Sequence, residues 1–142
     1  MTIDDWRIPE DAGEYRAALA GILLRITDDG NRYISVGPGW YRLIVDLDAQ
    51  LAAIDPDYPL IQVKQKFGGL RYYAHRSDSS HDRQAEFNAA IEAAERAASS
   101  TCEVCGAQPA QRCRSKHGLV MNLCAGCLAS HRDHHGDPFK AL

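Results

Sequence analysis

The chain reads as an α+β protein, with helices and a β-hairpin followed by a C-terminal cysteine module. Three observations predict this. Apolar residues recur at helical spacing in three segments, one glycine-centred segment changes to a period of two, and two C-x2-C pairs lie near the end. A length of 142 residues suits one domain or one domain with a small module. We divide it into an α+β body over 1–101 and a zinc-finger module over 102–142 packed on that body.

The first helix is expected over 11–27, where Tyr15, Leu19, Ile22, Leu23 and Ile26 recur at steps of three and four. Asp28-Asp29-Gly30-Asn31 ends it with turn residues. After the breaker Gly37-Pro38-Gly39, a second stripe runs through Trp40, Leu43, Ile44, Leu47, Leu51 and Ile54, closed by Asp55-Pro56. A third helix is expected over 82–98, with Phe87, Ile91, Ala94 and Ala98 on its apolar side. Its many alanines favour helix.

Residues 60–75 carry the period-two signal, and Gly68-Gly69 is a two-residue turn candidate because such turns need positive φ. Folding about that pair puts Phe67 opposite Leu70, Lys66 opposite Arg71, Gln65 opposite Tyr72, Lys64 opposite Tyr73 and Val63 opposite Ala74. Ile61, Val63, Gln65, Phe67, Leu70, Tyr72 and Ala74 then form the buried face. Gln62, Lys64, Lys66, Arg71, Tyr73 and His75 form the outer one.

Cys102-Glu103-Val104-Cys105-Gly106 has knuckle spacing, and Cys124-Ala125-Gly126-Cys127 follows after eighteen intervening residues. Cys102, Cys105, Cys124 and Cys127 are therefore the expected ligands of one Zn²⁺. Four thiolates fill a tetrahedron and leave no position for water, so the expected role is structural. Between the pairs, a hairpin should turn near Lys116-His117-Gly118 with Leu119, Met121 and Leu123 inward; a short helix should follow Cys124. Knuckle, hairpin and helix is a treble-clef-like layout. Cys113 is expected to be a buried small side chain, and His131, His134 and His135 surface residues.

The formal net charge of −3 argues against indiscriminate nucleic-acid coating, but the charge is uneven. Residues 1–60 hold five arginines against eleven acids, whereas 61–76 hold Lys64, Lys66, Arg71 and Arg76 and no acid. Lys64, Lys66, Arg71 and Tyr73 form one candidate macromolecule-binding face, the tyrosine being able to stack on a base. The competing expectation is neutralisation by Asp46 and Asp48 or by Glu92 and Glu95 of the same chain. Arg112, Arg114 and Lys116 alternate onto a second candidate face. No run of apolar residues approaches a membrane span, and the acidic N-terminus does not resemble a signal peptide, so a cytoplasmic location is expected.

No phosphate loop, nucleophile elbow or helical metal pair occurs in the sequence. His117, Asn122 and His131 have the letters of an HNH-type nuclease, but the spacing is wrong. The segments GWYRLI (39–44), QVKQKFGGLRYY (62–73), CEVCG (102–106) and LCAGC (123–127) resemble those of a bacterial and prophage-associated protein family. Members often end in Cys-x2-His, where this chain has Cys127. The resemblance implies a mobile-element setting and no mechanism. The expectation is a non-enzymatic, zinc-stabilised binding protein that occupies a host protein or ribonucleoprotein complex, for example to inhibit a defence system. A nucleic-acid-binding regulator is the alternative, and a nuclease the third.

Overall fold

The three apolar stripes become α1 (Arg16–Leu24), α2 (Tyr41–Ile54) and α3 (Gln84–Ser99). The computed structural model describes residues 2–77 and 82–142. α1 is shorter than its sequence suggests. Gly13, at φ +54°, interrupts the chain before it, and only a 3₁₀ turn joins the two. Ile26 has left the helix to bridge Leu60 in parallel. The stripes still meet in one core: Leu19, Ile22, Leu23 and Ile26 are buried with Trp40, Ile44, Leu47 and Leu51.

The hairpin forms from β2 (Leu60–Lys66) and β3 (Gly69–Ala74), and the two-residue strand β1 (Ile34–Ser35) lies parallel to β2. Its register corrects the expectation. Lys66 pairs with Gly69, Gln65 with Leu70, Lys64 with Arg71 and Val63 with Tyr72. The turn residues are thus Phe67 and Gly68, both at positive φ (54° and 81°). That is the sign pattern of a type I′ turn. The cause is tertiary. Gly68 is buried against the second sheet, where a methyl group would lie 2.9 Å from Arg112 Nε and 3.3 Å from Val120. A side chain there would have to hold φ +81° and displace both neighbours, so glycine is favoured, and Phe67 accepts a left-handed conformation beside it.

Moving the turn changes every partner but preserves the faces, so Val63, Leu70 and Tyr72 remain buried. Lys66 and Arg71 are no longer opposite each other. A bulge between Leu60 and Gln62 turns Leu60 inward and leaves Ile61 exposed. Phe67, expected inside, is 69% exposed at the tip. Within the body, the Tyr58 hydroxyl meets Asp48 and the Tyr72 hydroxyl, and Arg25 Nε donates to Asp48 at 2.8 Å. Burial, with Tyr72 and Asp48 alongside, pushes the Tyr58 phenol far above its ordinary range.

The C-terminal segment builds β4 (Gln111–Ser115), β5 (Val120–Leu123), α4 (Ala125–Ser130) and β6 (Phe139–Ala141), with sheet order β5-β4-β6. Both faces of β5 are covered. Leu119, Met121 and Leu123 pack toward the cysteines, as the alternation predicts. Val120 and Asn122, on the other face, are buried as well. The body covers them.

That cover is a seam of backbone contacts. Gly39 N–H donates to the Glu103 carbonyl at 2.8 Å. A methyl on Gly39 would lie 2.1 Å from Cys102 O and 2.5 Å from Gly106 N; one on Gly37 would lie 2.4 Å from Glu103 O. Trp40 Nε1 donates to Thr101 O at 2.9 Å. Gln65 Nε2 donates to Glu103 Oε1 at 2.9 Å and to Val120 O at 2.6 Å, while Asn122 Nδ2 donates to the Gly68 and Ala98 carbonyls.

Gly39→Ala should therefore cost about 3 kcal/mol in chemical denaturation, since the added methyl meets backbone that cannot yield. Gly21→Ala, in open space on α1, should stabilise by about 0.5–1 kcal/mol. Acid stability offers a separate check. Asp55 is buried, which raises its carboxyl, but bonds from Ser77 N–H and hydroxyl, the Asp57 N–H and the Arg76 charge together hold it below the usual aspartate value. A depressed folded-state value adds stability above the ordinary aspartate range, and that stability is lost as pH falls through the folded value. Asp55→Asn should lower stability at neutral pH and flatten the decline below about pH 4 in urea titrations.

Candidate metal centre and basic surface

The knuckle places two sulfurs. Cys102 N–H donates to Ala107 O, Gly106 N–H donates to Cys102 O, and Gly106 takes φ +81° to close the loop. The other two come from the start of α4, where Cys124 Sγ accepts the Cys127 N–H. The four sulfurs lie 3.6–3.8 Å from one another. A tetrahedron with metal–sulfur bonds of about 2.3 Å has edges of about 3.8 Å, so the quartet fits a zinc site.

The electrostatics ask for a cation. Burial raises the Cys102 thiol, but N–H groups of Cys105, Cys124 and Val104 aimed at its sulfur bring it down to about 7. Burial and the neighbouring thiols push Cys127 well above its ordinary range. Four sulfurs at this spacing cannot all ionise without a positive centre to offset their repulsion. Cys113 is no ligand. It is fully buried on β4, packed with Leu123 and Phe139, its thiol directed to Gln111 O at 3.3 Å.

Of the histidines after Cys127, His134 is exposed and the other two contact rings. His131 stacks on Phe139 with ring centroids 5.6 Å apart, and His135 lies over His117 at 3.9 Å. The nuclease letters do not converge either. Asn122 is buried with its amide committed to two carbonyls, and His117 Nε2 lies 2.8 Å from Asp137 Oδ2.

The two basic faces, separate in sequence, become neighbours. Arg112 Nε reaches the Phe67-Gly68 tip. Arg114 pairs across strands with Lys140 of β6, a cation the sequence reading did not include. Lys64, Lys66, Arg112, Arg114 and Lys140 form no salt bridge among the described residues. Lys66 Nζ lies 5.8 Å from the Phe67 ring centroid, and Tyr73 is exposed. Of the acids expected to neutralise the hairpin, Asp48 pairs with Arg25 and Asp46 with Arg42. Glu95 faces Arg71; burial, with Glu92 nearby, still holds the Glu95 carboxyl above its usual value, and the Arg71 charge only partly opposes that rise. Lys116 leaves the strand face and pairs with Asp137 at 3.3 Å.

The polar groups that sequence reasoning missed are Glu103 with Gln65 at the seam, and Asp133 and Asp137 beside His117. No local pattern announces either, because each set joins distant segments. No helix among the described residues is long and apolar enough to cross a membrane. Compared with family models, curated proteins and solved structures, the chain matches none.

Purified protein should carry one tightly held metal per quartet, measured by elemental analysis alongside a thiol count. Cys105→Ser should lose that metal. Cys113→Ala should keep it while losing about 1–2 kcal/mol of stability through the vacated volume.

Proposed function

We propose that the chain is a non-enzymatic binding protein, stabilised by a structural Zn²⁺ in a treble-clef-like module. It engages nucleic acid, either free or exposed on a ribonucleoprotein complex. One observation carries the reading: Arg112 lies against the glycine-turned hairpin tip, where two sets of cations that form no salt bridge among the described residues would meet in one strip. Lys64 and Lys66 lead to the tip, and Arg112, Arg114 and Lys140 continue from it. Phosphates supply the charge such a strip lacks, and exposed Phe67 and Tyr73 offer faces on which bases stack. An acidic protein would meet the cations but has less use for the two rings.

The four thiolates complete the shell of a zinc ion, so that ion would serve folding and leave no coordination site for a substrate. The body over 1–101 and the module over 102–142 then act together as one platform. The resemblance to prophage-associated proteins gives the setting. In a host cytoplasm, occupying such a nucleic acid or its complex would block or modulate the machinery that uses it.

A mobility-shift assay with a fluorescent single strand of about 20 nucleotides tests the reading. Binding should weaken steeply with salt, and the Lys66→Glu/Arg114→Glu double variant should bind about tenfold or more weakly. No shift at low salt would refute it. Capture of a host complex that survives nuclease treatment and ignores the double variant would point to a protein partner elsewhere on the surface.

A further inference from the structure

We propose a second metal site, formed by His117, Asp133 and Asp137, that takes a divalent first-row transition ion. It uses none of the four cysteines, and it adjoins the Arg114–Lys140 end of the basic strip, which lines one cavity with Asp137. His117 belongs to the turn between β4 and β5; the two aspartates bracket the loop between α4 and β6. One ligand atom from each lies within 4.8 Å of the other two.

The loop is built around Asp133. Its Oδ1 accepts the N–H groups of His135 and Asp137, both at 2.9 Å, and its own N–H donates to Asp137 O at 2.9 Å. Gly136, at φ +80°, lets the chain return. Those bonds commit Oδ1 and aim Oδ2 inward, where it is shielded from solvent and has no hydrogen-bond partner. Ser115, only 2% exposed, stands beside Asp133 with its hydroxyl turned to that carboxylate and to no other group among the described residues. A shielded carboxylate oxygen met by at most one hydroxyl marks a place where something positive belongs.

His117 Nε2 and Asp137 Oδ2 close the third side. At 2.8 Å they lie within hydrogen-bonding distance. A metal ion would replace that contact, taking the Nε2 lone pair and one oxygen from each aspartate. An imidazole with two carboxylates suits Zn²⁺, Mn²⁺ or their neighbours better than Ca²⁺ or Mg²⁺, which favour all-oxygen shells. Lys116 Nζ, 3.3 Å from Asp137 Oδ1, partly offsets the negative charge and makes this site weaker than the quartet. Three protein ligands would also leave a position for water, unlike the quartet.

Calorimetric titration of the one-metal protein with Zn²⁺ at neutral pH tests this. It should reveal one further equivalent, with affinity reduced about tenfold or more in Asp133→Asn and in His117→Gln. Asparagine keeps the Oδ1 acceptor that shapes the loop, so Asp133→Asn separates ligation from folding; circular dichroism and retention of the first metal verify the fold. His134→Gln should bind as the parent does. The proposal is overturned if no second equivalent binds up to about 1 mM, or if the second equivalent is indifferent to both ligand variants.

Discussion

The close approach of Gly37 and Gly39 to the Cys102–Gly106 knuckle is the constraint on which the rest of the structure depends. At those positions the body's backbone lies where any side chain would collide with the knuckle's peptide groups. The knuckle can receive it only if its own loop is held in one shape. Four sulfurs at tetrahedral spacing are the means of holding it. A metal held by the quartet would therefore organise more than the last forty residues. It would present the Cys102 and Glu103 carbonyls, and the Glu103 carboxylate, to the body.

The other seam contacts follow from that placement. Trp40 packs into the body core while its indole N–H reaches Thr101 O, one residue before the first cysteine. Gln65 spans from the hairpin to Glu103 and Val120, and Asn122 answers with bonds to Gly68 and Ala98. Gln65 and Asn122 find their partners across the boundary, which is why neither side is complete alone. The strip of cations is a product of the same seam, because Arg112 meets Gly68 only when the two parts are docked.

Local pattern made part of this legible. The cysteine quartet announced itself through spacing. The helical stripes of α2 and α3 survive intact, and alternation alone places Val63, Leu70 and Tyr72 inside, although not Ile61 or Phe67. What the sequence hid is non-local. The Phe67-Gly68 turn wins over Gly68-Gly69 because Gly68 is buried against residues more than forty positions later. β1 is too short to show a period, and the parallel pairing of Ile34 with Val63 depends on the core beneath it. The segments GWYRLI, QVKQKFGGLRYY and CEVCG look like separate motifs along the chain, yet Gly39, Trp40, Gln65, Gly68 and Glu103 meet at one seam. Their first physical role is docking.

The central claim is that quartet and body fold as one unit, and unfolding followed by two probes tests it most directly. Trp40 fluorescence, read in a Trp6→Phe background, reports the body, while a chromogenic chelator reports metal release. The account predicts that both transitions coincide in a denaturant titration, and that stripping the metal in native buffer exposes Trp40. A body that keeps Trp40 buried after the metal has left would contradict it.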